Sequence, residues 1–291
     1  MTGLDGTRSC LLGLVGAGIG GSLTPAMQEA EGRAMGLSLV YRTIDAEVLG
    51  FGTAELPEIL AWARRLGYDG LNVTHPFKQA VLPLLDGMSA AAADLGAVNT
   101  VVLRGGRALG HNTDWSGWGR AFRAVLPGAR HGRAVVVGAG GAGVAVAYAL
   151  LEQGAEQVAL HDVDLARAEE TALRLGKCFT EDRVCAAADL AAALADAGGV
   201  VNATPIGMLG HEGSAIPARL LRPDLWVADV VYFPLETQLV RTARELGCRV
   251  VPGGGMAVGQ AVDAFALFTG LQPDPDRMAA HFSELTGAAP R

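Results

Sequence analysis

Apolar and polar residues alternate in blocks along the chain, and in its first third the blocks predict strands and helices in turn. The predicted strands are 10–15, 38–44, 70–73 and 97–103, and the predicted helices are 25–36, 56–66, 76–85 and 89–95. Gly67 is expected to end the second helix, and Arg104-Gly105-Gly106-Arg107 to form a tight turn. These elements indicate a small α/β domain.

From residue 133 the alternation is more regular and predicts a parallel sheet with helical crossovers. The predicted strands are 134–137, 157–161, 199–202, 226–230 and 249–252, with helices from the glycine turn to 151, at 165–175, at 237–246 and at 256–268. Trp115, Trp118, Phe122 and Val125 recur at helical spacing, with Asn112 and Thr113 as candidate caps. We therefore expect two domains: 1–113 completed by a helical segment, 255–291, and a Rossmann-like domain, 114–254.

Charge and cysteine content narrow the class of protein. The net charge is −7 and no cluster of Lys and Arg occurs, which argues against a nucleic-acid partner. The four cysteines show no metal-binding spacing, so we expect free thiols, a cytoplasmic protein and no metal. Residues 134–151 carry no charge, but glycines interrupt them, and we expect no membrane span. A small-molecule substrate is the expected partner, and a homodimer is left open.

A glycine-rich run indicates a dinucleotide site. The run Gly138-Ala139-Gly140-Gly141-Ala142-Gly143 follows a predicted strand and opens a helix, as a G-x-G-x-x-G fingerprint requires. Glycines let the backbone approach a pyrophosphate, and the helix N-terminus supplies N–H groups. The alternative is a tight turn without a ligand. We assign Gly138, Gly140, Gly141 and Gly143 to the cofactor site.

Asp162 ends the second strand of that domain, where a carboxylate binds the ribose hydroxyls of NAD and repels the 2′-phosphate of NADP. Val163 and Asp164 offer no cation, and Asp164 is a candidate helix cap. Arg167 either packs on the adenine or pairs with Asp162. The sequence therefore predicts NAD as the cofactor.

Two further segments are assigned to the cofactor domain. Asn202-Ala203-Thr204 ends a strand and is expected to face the nicotinamide half of the cofactor. Gly253 opens a run of three glycines that indicates a close backbone approach or a hinge, and we place it in the cofactor site. This run and the join near Asp114 are expected to act as hinges for closure.

Lys78 lies in the segment Asn72-Val73-Thr74-His75-Pro76-Phe77-Lys78, after a predicted strand. Pro76 is expected in the first helical turn, which puts Lys78 where the helix dipole disfavours a cation. Such a position indicates a functional lysine, and the alternative is a solvated lysine at a helix end.

Several motifs in order along the chain resemble the shikimate dehydrogenase family, and within it the NAD-dependent quinate/shikimate dehydrogenases. They are Ser22-Leu23-Thr24-Pro25, the segment 72–78, Gly96-Ala97-Val98-Asn99-Thr100, Gly110-His111-Asn112-Thr113-Asp114, the glycine run, Asn202-Ala203-Thr204, and Gly255-Met256 with Gln260. The resemblance spans nearly the whole chain.

The resemblance implies roles for particular side chains. Ser22 and Thr24 would hold a substrate carboxylate, with Tyr232 nearby. The implied ligands of the ring hydroxyls are Thr74, Asn99 and Gln260. Lys78 would act as acid and base at the reacting carbon, with Asp114 as its partner.

Two departures from the family pattern favour NAD-dependent oxidation of quinate to 3-dehydroquinate and of shikimate to 3-dehydroshikimate. Thr24 replaces a common serine, which in the resembling group goes with acceptance of quinate. Asp162-Val163-Asp164 replaces an Asn-Arg-Thr run, which removes an arginine clamp for phosphate. The alternatives are an aminoshikimate dehydrogenase and a non-catalytic quinate sensor on the same fold, whereas a folate-linked dehydrogenase gains no support from Ser22 and Thr24.

Overall fold

The computed structural model describes residues 8–128 and 132–287, and contacts between Cα atoms divide the chain into two units. Unit 1 runs to Thr113 and resumes at Gln260, whereas unit 2 is Asp114–Gly259. The sequence placed the return to the first domain at residue 255. The observed return lies inside the helix Gly254–Thr269, and helical periodicity does not reveal it because the helix continues across the boundary.

Unit 1 contains a mixed six-stranded sheet. Its strands are β1 (Ser9–Gly16), β2 (Ser38–Asp45), β3 (Gly70–Val73), β4 (Gly87–Met88), β5 (Thr100–Arg104) and β6 (Arg107–His111). Its helices before residue 113 are α1 (Thr24–Ala34), α2 (Ala46–Leu49), α3 (Leu56–Arg65), α4 (Phe77–Ala80) and α5 (Ala90–Leu95). The order is β2-β1-β3-β5-β6-β4, with β1 parallel to β2 and β3, so these three strands end at one edge of the sheet.

The segment after β3 differs from the prediction of one helix over 76–85. The structure has the single turn α4, followed by a 3₁₀ helix at Leu82–Leu84. Pro83 accounts for the interruption because it has no N–H to continue the helical hydrogen bonds. Pro76 is the N-cap residue and does not open the first turn. The dipole argument for Lys78 is therefore weak, since so short a helix has a small dipole.

The strand predicted over 97–103 begins only at Thr100. The N–H of Val98 donates to the carbonyl of Lys78, which draws this stretch away from the sheet. The turn after β5 is as predicted, since Gly105 and Gly106 have φ values of 59° and 77° and join β5 to the antiparallel β6. Such a pair of positive φ angles favours glycine strongly.

Unit 2 is a doubly wound sheet, as predicted. Its strands are β7 (Arg133–Val137), β8 (Gln157–His161), β9 (Val184–Ala186), β10 (Gly199–Asn202), β11 (Trp226–Asp229) and β12 (Arg249–Val251). Its helices are α6 (Asp114–Val125), α7 (Gly141–Glu152), α8 (Leu165–Cys178), α9 (Leu190–Leu194), α10 (Gln238–Glu245) and the start of α11 (Gly254–Thr269). All strands are parallel in the order β12-β11-β10-β7-β8-β9, and a strand order of this kind places ligands where the order reverses, between β7 and β10. The sequence did not predict β9 or α9.

The C-terminal helices complete unit 1. Phe268 of α11 packs on Gly70 so closely that a side chain at Gly70 would collide with its ring. Helix α12 (Pro275–Thr286) packs against α1, where the buried Glu31 carboxylate accepts from Arg277 Nε (2.7 Å) and Nη2 (2.6 Å) and from the N–H of Asp274 (2.8 Å). This ion pair fastens the returning segment because both carboxylate oxygens are bound.

The described residues contain neither a helix suited to a membrane span nor a cluster suited to a metal ion. Between residues 8 and 128 and between 132 and 287, no helix is long and apolar enough to cross a bilayer. Nor do these ranges contain a group of three His, Cys, Asp or Glu side chains that could hold a metal ion. The four cysteines are free thiols, of which Cys10 and Cys248 are buried.

Candidate active site

The ends of β1 and β3 bring two of the predicted substrate loops together within unit 1. The N–H of Ala17 donates to the carbonyl of His75 (2.9 Å), and a side chain at Gly16 would collide with Thr74. A close approach of this kind requires glycine. The structure thus sets the loop that leads to Ser22 beside the loop that carries Thr74.

Asp45 holds the first of these loops. Its carboxylate oxygens accept the N–H groups of Gly18 (3.0 Å) and Ile19 (2.9 Å). Burial alone would raise the pKa of Asp45, but these donors and the N–H of Glu47 outweigh it and lower the pKa below its ordinary value. The carboxylate therefore stays ionised and keeps the loop shape at neutral pH.

Ser22 and Thr24 flank the start of α1. Thr24 is the first helical residue, and its N–H lies 3.4 Å from Ser22 Oγ. Both side chains are half-buried. The first N–H groups of a helix have no partner within the helix and favour an anion. Two hydroxyls at this helix end are therefore chemically suited to a carboxylate ligand.

A buried polar network links β2, β3 and β5. Asn72 donates to the carbonyl of Asn99 (3.2 Å) and to Thr100 Oγ1 (3.0 Å), and it accepts from the Tyr41 hydroxyl (2.7 Å). Tyr41 is buried, and burial raises its pKa, so it remains a neutral donor. The sequence analysis did not select Tyr41. The available signal was that Tyr41 is the single aromatic residue of β2.

Asn99 is fixed in orientation by its neighbours. Its Oδ1 accepts from the N–H of Thr113 (2.8 Å) and from Thr100 Oγ1 (2.9 Å), while its Nδ2 donates to Thr113 Oγ1 (3.0 Å). The side chain is buried. Because Thr113 immediately precedes Asp114, the same amide also fixes the chain at the start of α6.

Lys78 is the second residue of α4 and is half-buried. The fully buried ring of the preceding residue, Phe77, anchors the turn, and the carbonyl of Lys78 accepts from the N–H of Val98 (2.9 Å). Asp114 opens α6 and is buried. Lys78 belongs to unit 1 and Asp114 to unit 2, and their pairing stays a prediction.

Gln260 is the first residue of the segment that returns to unit 1. The carbonyl of its neighbour, Ala261, accepts from Nε2 of Gln28 on α1 (2.8 Å), and Gln28 is fully buried. This hydrogen bond fixes the position of α11 along the axis of α1. The structure therefore gives Gln260 a rigid helical support in the unit that also holds Ser22 and Thr24.

The glycine turn after β7 has the geometry of a dinucleotide fingerprint. Gly138 has a φ of 99°, and a side chain at Gly143 would collide with the carbonyl of Gly138. Gly140 is the N-cap residue and Gly141 opens α7, and Cβ atoms at these two positions would meet nothing within 4 Å. The first and third glycines of the fingerprint thus serve the turn and its packing, and the second leaves backbone open to a pyrophosphate.

Asp162 is drawn into this turn from the end of β8. Its carboxylate accepts from the N–H of Ala139 (2.7 Å) and from the N–H of Asp164 (2.9 Å), and its side chain is 6% exposed. Burial alone would raise the pKa of Asp162, but these donors and the Arg167 guanidinium outweigh it and lower the pKa. Arg167 lies 3.7 Å from Asp162 and 3.5 Å from Asp164. Of the two predicted roles of Arg167, the structure shows the pairing with Asp162.

Asp164 caps α8, as predicted, by accepting the N–H of Arg167 (3.4 Å). The residue between the two acids, Val163, is fully exposed. The segment that follows Asp162 therefore presents an apolar side chain to solvent at the place where the NADP-type pattern has arginine.

The placement of Asn202 beside the cofactor stays a prediction, and its side-chain amide makes all of its hydrogen bonds within the protein. Its Nδ2 donates to Asp229 Oδ1 (2.9 Å) and to the carbonyl of Ile206 (2.9 Å), and its Oδ1 accepts from the N–H (3.1 Å) and the hydroxyl (2.7 Å) of Thr204. Two donated and two accepted bonds are all that an amide side chain can make. Asn202 therefore shapes the turn that carries Ala203 and Thr204.

Asp229, which ends β11, is a residue that the sequence analysis missed. It is 2% exposed and accepts from Asn202, from the N–H of Val231 (3.0 Å) and from Thr237 Oγ1 (2.7 Å). Burial raises its pKa to about 6 despite these donors. The available signal was an acid at the end of an otherwise apolar strand.

The loop after β11 carries Tyr232, whose pKa is raised by burial, so its hydroxyl is neutral at working pH. Gly253 lies against the start of this loop, and a side chain there would collide with the carbonyl of Val231. The close backbone approach predicted for Gly253 is thus present, whereas its contact with a cofactor stays a prediction.

Comparison with known proteins gives four matches to one family. Residues 14–101 match the family model of the shikimate dehydrogenase substrate binding domain. A shikimate dehydrogenase (NADP(+)) of Streptomyces avermitilis is 53% identical over 97% of both chains. A quinate/shikimate dehydrogenase (NAD(+)) of Corynebacterium efficiens is 52% identical over 95% of this chain and 99% of the relative. The solved quinate dehydrogenase from Corynebacterium glutamicum in complex with NAD superposes with a TM-score of 0.91 at 48% identity, covering 96% of this chain and 100% of that one.

Proposed function

We propose, from the premise that this chain belongs to the shikimate dehydrogenase family, that it oxidises quinate to 3-dehydroquinate and shikimate to 3-dehydroshikimate with NAD. Family membership makes it an oxidoreductase of the shikimate/quinate dehydrogenase type that uses a nicotinamide cofactor. The choice of NAD and the acceptance of both acids are the proposal.

The environment of Asp162 is the observation that supports NAD. A buried, ionised carboxylate at the end of β8 accepts hydrogen bonds from ribose hydroxyls and repels a 2′-phosphate. Arg167 is shared between Asp162 and Asp164, and Val163 carries no charge. Relatives at 53% and 52% identity are named for NADP and for NAD respectively, so overall similarity does not select the cofactor, and the choice rests on these residues.

The glycine turn fits the cofactor that the family implies. Gly140 and Gly141 leave the backbone open at the N-terminus of α7, which suits a pyrophosphate, and Ala203 and Thr204 form the neighbouring edge. When bound there, the nicotinamide would accept a hydride from the alcohol carbon of the substrate.

The protein itself contributes the transfer of the proton that leaves the alcohol. The neutral amine of Lys78 accepts the proton of the alcohol. In the reverse direction, the ammonium form of Lys78 donates that proton. General acid–base help of this kind contributes about 10²–10⁴-fold to the rate. Asp114 orients the lysine and accepts a hydrogen bond from a ring hydroxyl, and its charge favours the ammonium form.

Substrate binding is assigned to five side chains of unit 1 and to Tyr232. Ser22 and Thr24 hold the carboxylate at the N-terminus of α1, where the helix favours an anion. The side chains proposed for the ring hydroxyls are Thr74, Asn99 and Gln260, and Tyr232 borders the carboxylate. The fixed amide of Asn99 supports this role because a pre-oriented group loses little entropy on binding.

A matrix of initial rates tests the proposal. The purified protein is assayed with quinate, shikimate and aminoshikimate, each with NAD and with NADP. We expect kcat/KM to be higher with NAD for both quinate and shikimate. A higher value with NADP would refute the choice of NAD, and preferred turnover of aminoshikimate would refute the choice of substrate. Quinate binding without reduction of either cofactor would instead indicate a sensor.

A further inference from the structure

Three neighbouring strands of unit 2 are joined at their carboxyl ends by one chain of contacts. Asp229 on β11 accepts from Asn202 on β10, and Asn202 accepts from Thr204 in the turn that follows. A Cβ at Gly138 would lie 2.9 Å from Thr204 Cγ2 and 3.0 Å from the carbonyl of Ala203. The chain of contacts therefore runs from a buried carboxylate to the first glycine of the fingerprint turn after β7.

A carboxylate is a costly group to bury at this place. Its partners are neutral: the Asn202 amide, the Val231 N–H and the Thr237 hydroxyl. Burial of an ionised group beside neutral donors costs free energy that a side chain of similar volume without charge would not. Packing alone therefore does not explain an acid at position 229.

The Asp229 carboxylate fixes the orientation of the Asn202 side-chain amide. A carboxylate only accepts hydrogen bonds, so Asn202 must turn its Nδ2 toward Asp229. This orientation leaves Asn202 Oδ1 facing Thr204, whose N–H and hydroxyl both donate to it. The Thr204 hydroxyl in turn accepts from the N–H of Ile206 (3.2 Å), which closes the turn.

We propose that Asp229 is a positioning residue for the nicotinamide cofactor. Through Asn202 it sets Ala203 and Thr204 against Gly138, so that the glycine turn keeps the shape that binding needs. The contacts lie at the carboxyl ends of the paired strands β7 and β10, between which the strand order reverses, and a sheet of this kind receives ligands there. This inference rests on the proposed placement of the cofactor at the glycine turn.

Two variants of Asp229 test the role in the full-length protein. Asp229→Val removes the acceptor at similar volume, whereas Asp229→Asn keeps one oxygen for Asn202 and Val231 and offers an N–H to Thr237. Calorimetric titration with NAD⁺ and with NADP⁺ gives the cofactor Kd, and steady-state kinetics at saturating cofactor give KM for quinate. We expect Asp229→Val to weaken cofactor binding about tenfold, because the Asn202 amide loses its acceptor and no longer holds Ala203 and Thr204 in the orientation that binding needs. The quinate KM should not change, and Asp229→Asn should recover most of the affinity.

The proposal is overturned if Asp229→Val binds cofactor as the parent does, or if it weakens cofactor and quinate equally. Should that variant not fold, Thr204→Val decides the matter, because it keeps the methyl group that faces Gly138 and removes only the hydroxyl. A weaker cofactor Kd in Thr204→Val supports the proposal, and an unchanged Kd refutes it.

Two controls separate the possible causes of failure. Glu31→Gln alters a buried acid in unit 1 and should lower stability without changing the cofactor Kd. Gly138→Ala forces a side chain into the fingerprint turn and should abolish cofactor binding. If Gly138→Ala binds normally, the placement of the cofactor is wrong. If Gly138→Ala loses binding while Asp229→Val and Thr204→Val keep it, only the role of Asp229 is wrong.

Discussion

Asp162→Asn is the substitution that separates charge from shape in cofactor choice. The carboxylate accepts the N–H groups of Ala139 and Asp164 on different oxygens. An asparagine keeps the size and one accepting oxygen, but it presents its NH₂ group to the other donor. The variant therefore loses the negative charge and one bond of the turn, and the backbone path is otherwise kept.

The magnitude follows from two effects on the specificity ratio, kcat/KM with NAD divided by kcat/KM with NADP. Two unit charges 4 Å apart interact by about 4 kcal/mol at an effective dielectric constant of 20 and by about 1 kcal/mol in water. For a 2′-phosphate at the protein surface we take about 2 kcal/mol of repulsion between these limits. A ribose hydroxyl loses a bond to a charged group, worth about 1.5 kcal/mol. Together they lower the ratio about 10²–10³-fold.

The assay is initial-rate kinetics with quinate and each cofactor, on the parent and two variants. Asp164→Asn is the matched control, because it removes the same charge two residues further along the chain. The Asp164 side chain is 51% exposed, so its charge is screened by solvent. We expect it to leave the ratio nearly unchanged. The reasoning is refuted if Asp162→Asn leaves the ratio as it was, or if Asp164→Asn lowers it as much.

Three further predictions concern catalysis and stability. Lys78→Met should lower kcat about 10²–10⁴-fold in steady-state assays because it removes the proton acceptor, and a near-parental kcat would rule out that role. Arg277→Met should lower the melting temperature followed by circular dichroism by several degrees, because the buried Glu31 carboxylate loses its counter-ion; an unchanged melting temperature would show that the pair adds nothing. Burial raises the pKa of Asp229 from 3.8 to about 6, so the folded protein keeps a proton that the unfolded chain releases. The free energy of unfolding should therefore fall by on the order of 3 kcal/mol as pH rises from about 4 to 6 because of this group, and urea titrations of Asp229→Asn should lack that fall.

The architecture of unit 2 could be predicted because its signals are local. Each central strand is a short apolar run, and the glycines that punctuate the chain fall where a strand turns into a helix. Asp162 could be placed for the same reason, since its position is counted from the fingerprint along the chain. The short elements β9 and α9 lack such a signal, because a strand of three residues and a helix of five carry too little periodicity.

Contacts between residues far apart in sequence could not be predicted. Nothing in the sequence shows that the Asn202 amide donates to Asp229, 27 positions later, or that the Tyr41 hydroxyl donates to Asn72, 31 positions later. A polar residue at a strand end is compatible with a ligand or with a protein partner, and only the neighbouring strand decides. The prediction of one continuous helix over 76–85 was wrong for a local reason. Pro83 interrupts the helix, and the prediction gave more weight to the apolar pattern than to this proline.

The tight packing of the glycine turn has a consequence for how cofactor preference can drift or be engineered in this scaffold. Atoms of the protein itself exclude side chains at Gly138 and Gly143, so these two positions of the glycine turn require glycine. Val163, by contrast, touches solvent over its whole surface and can be exchanged at no packing cost. We therefore expect substitutions at Val163 to alter cofactor preference without disturbing the packing of the glycine turn.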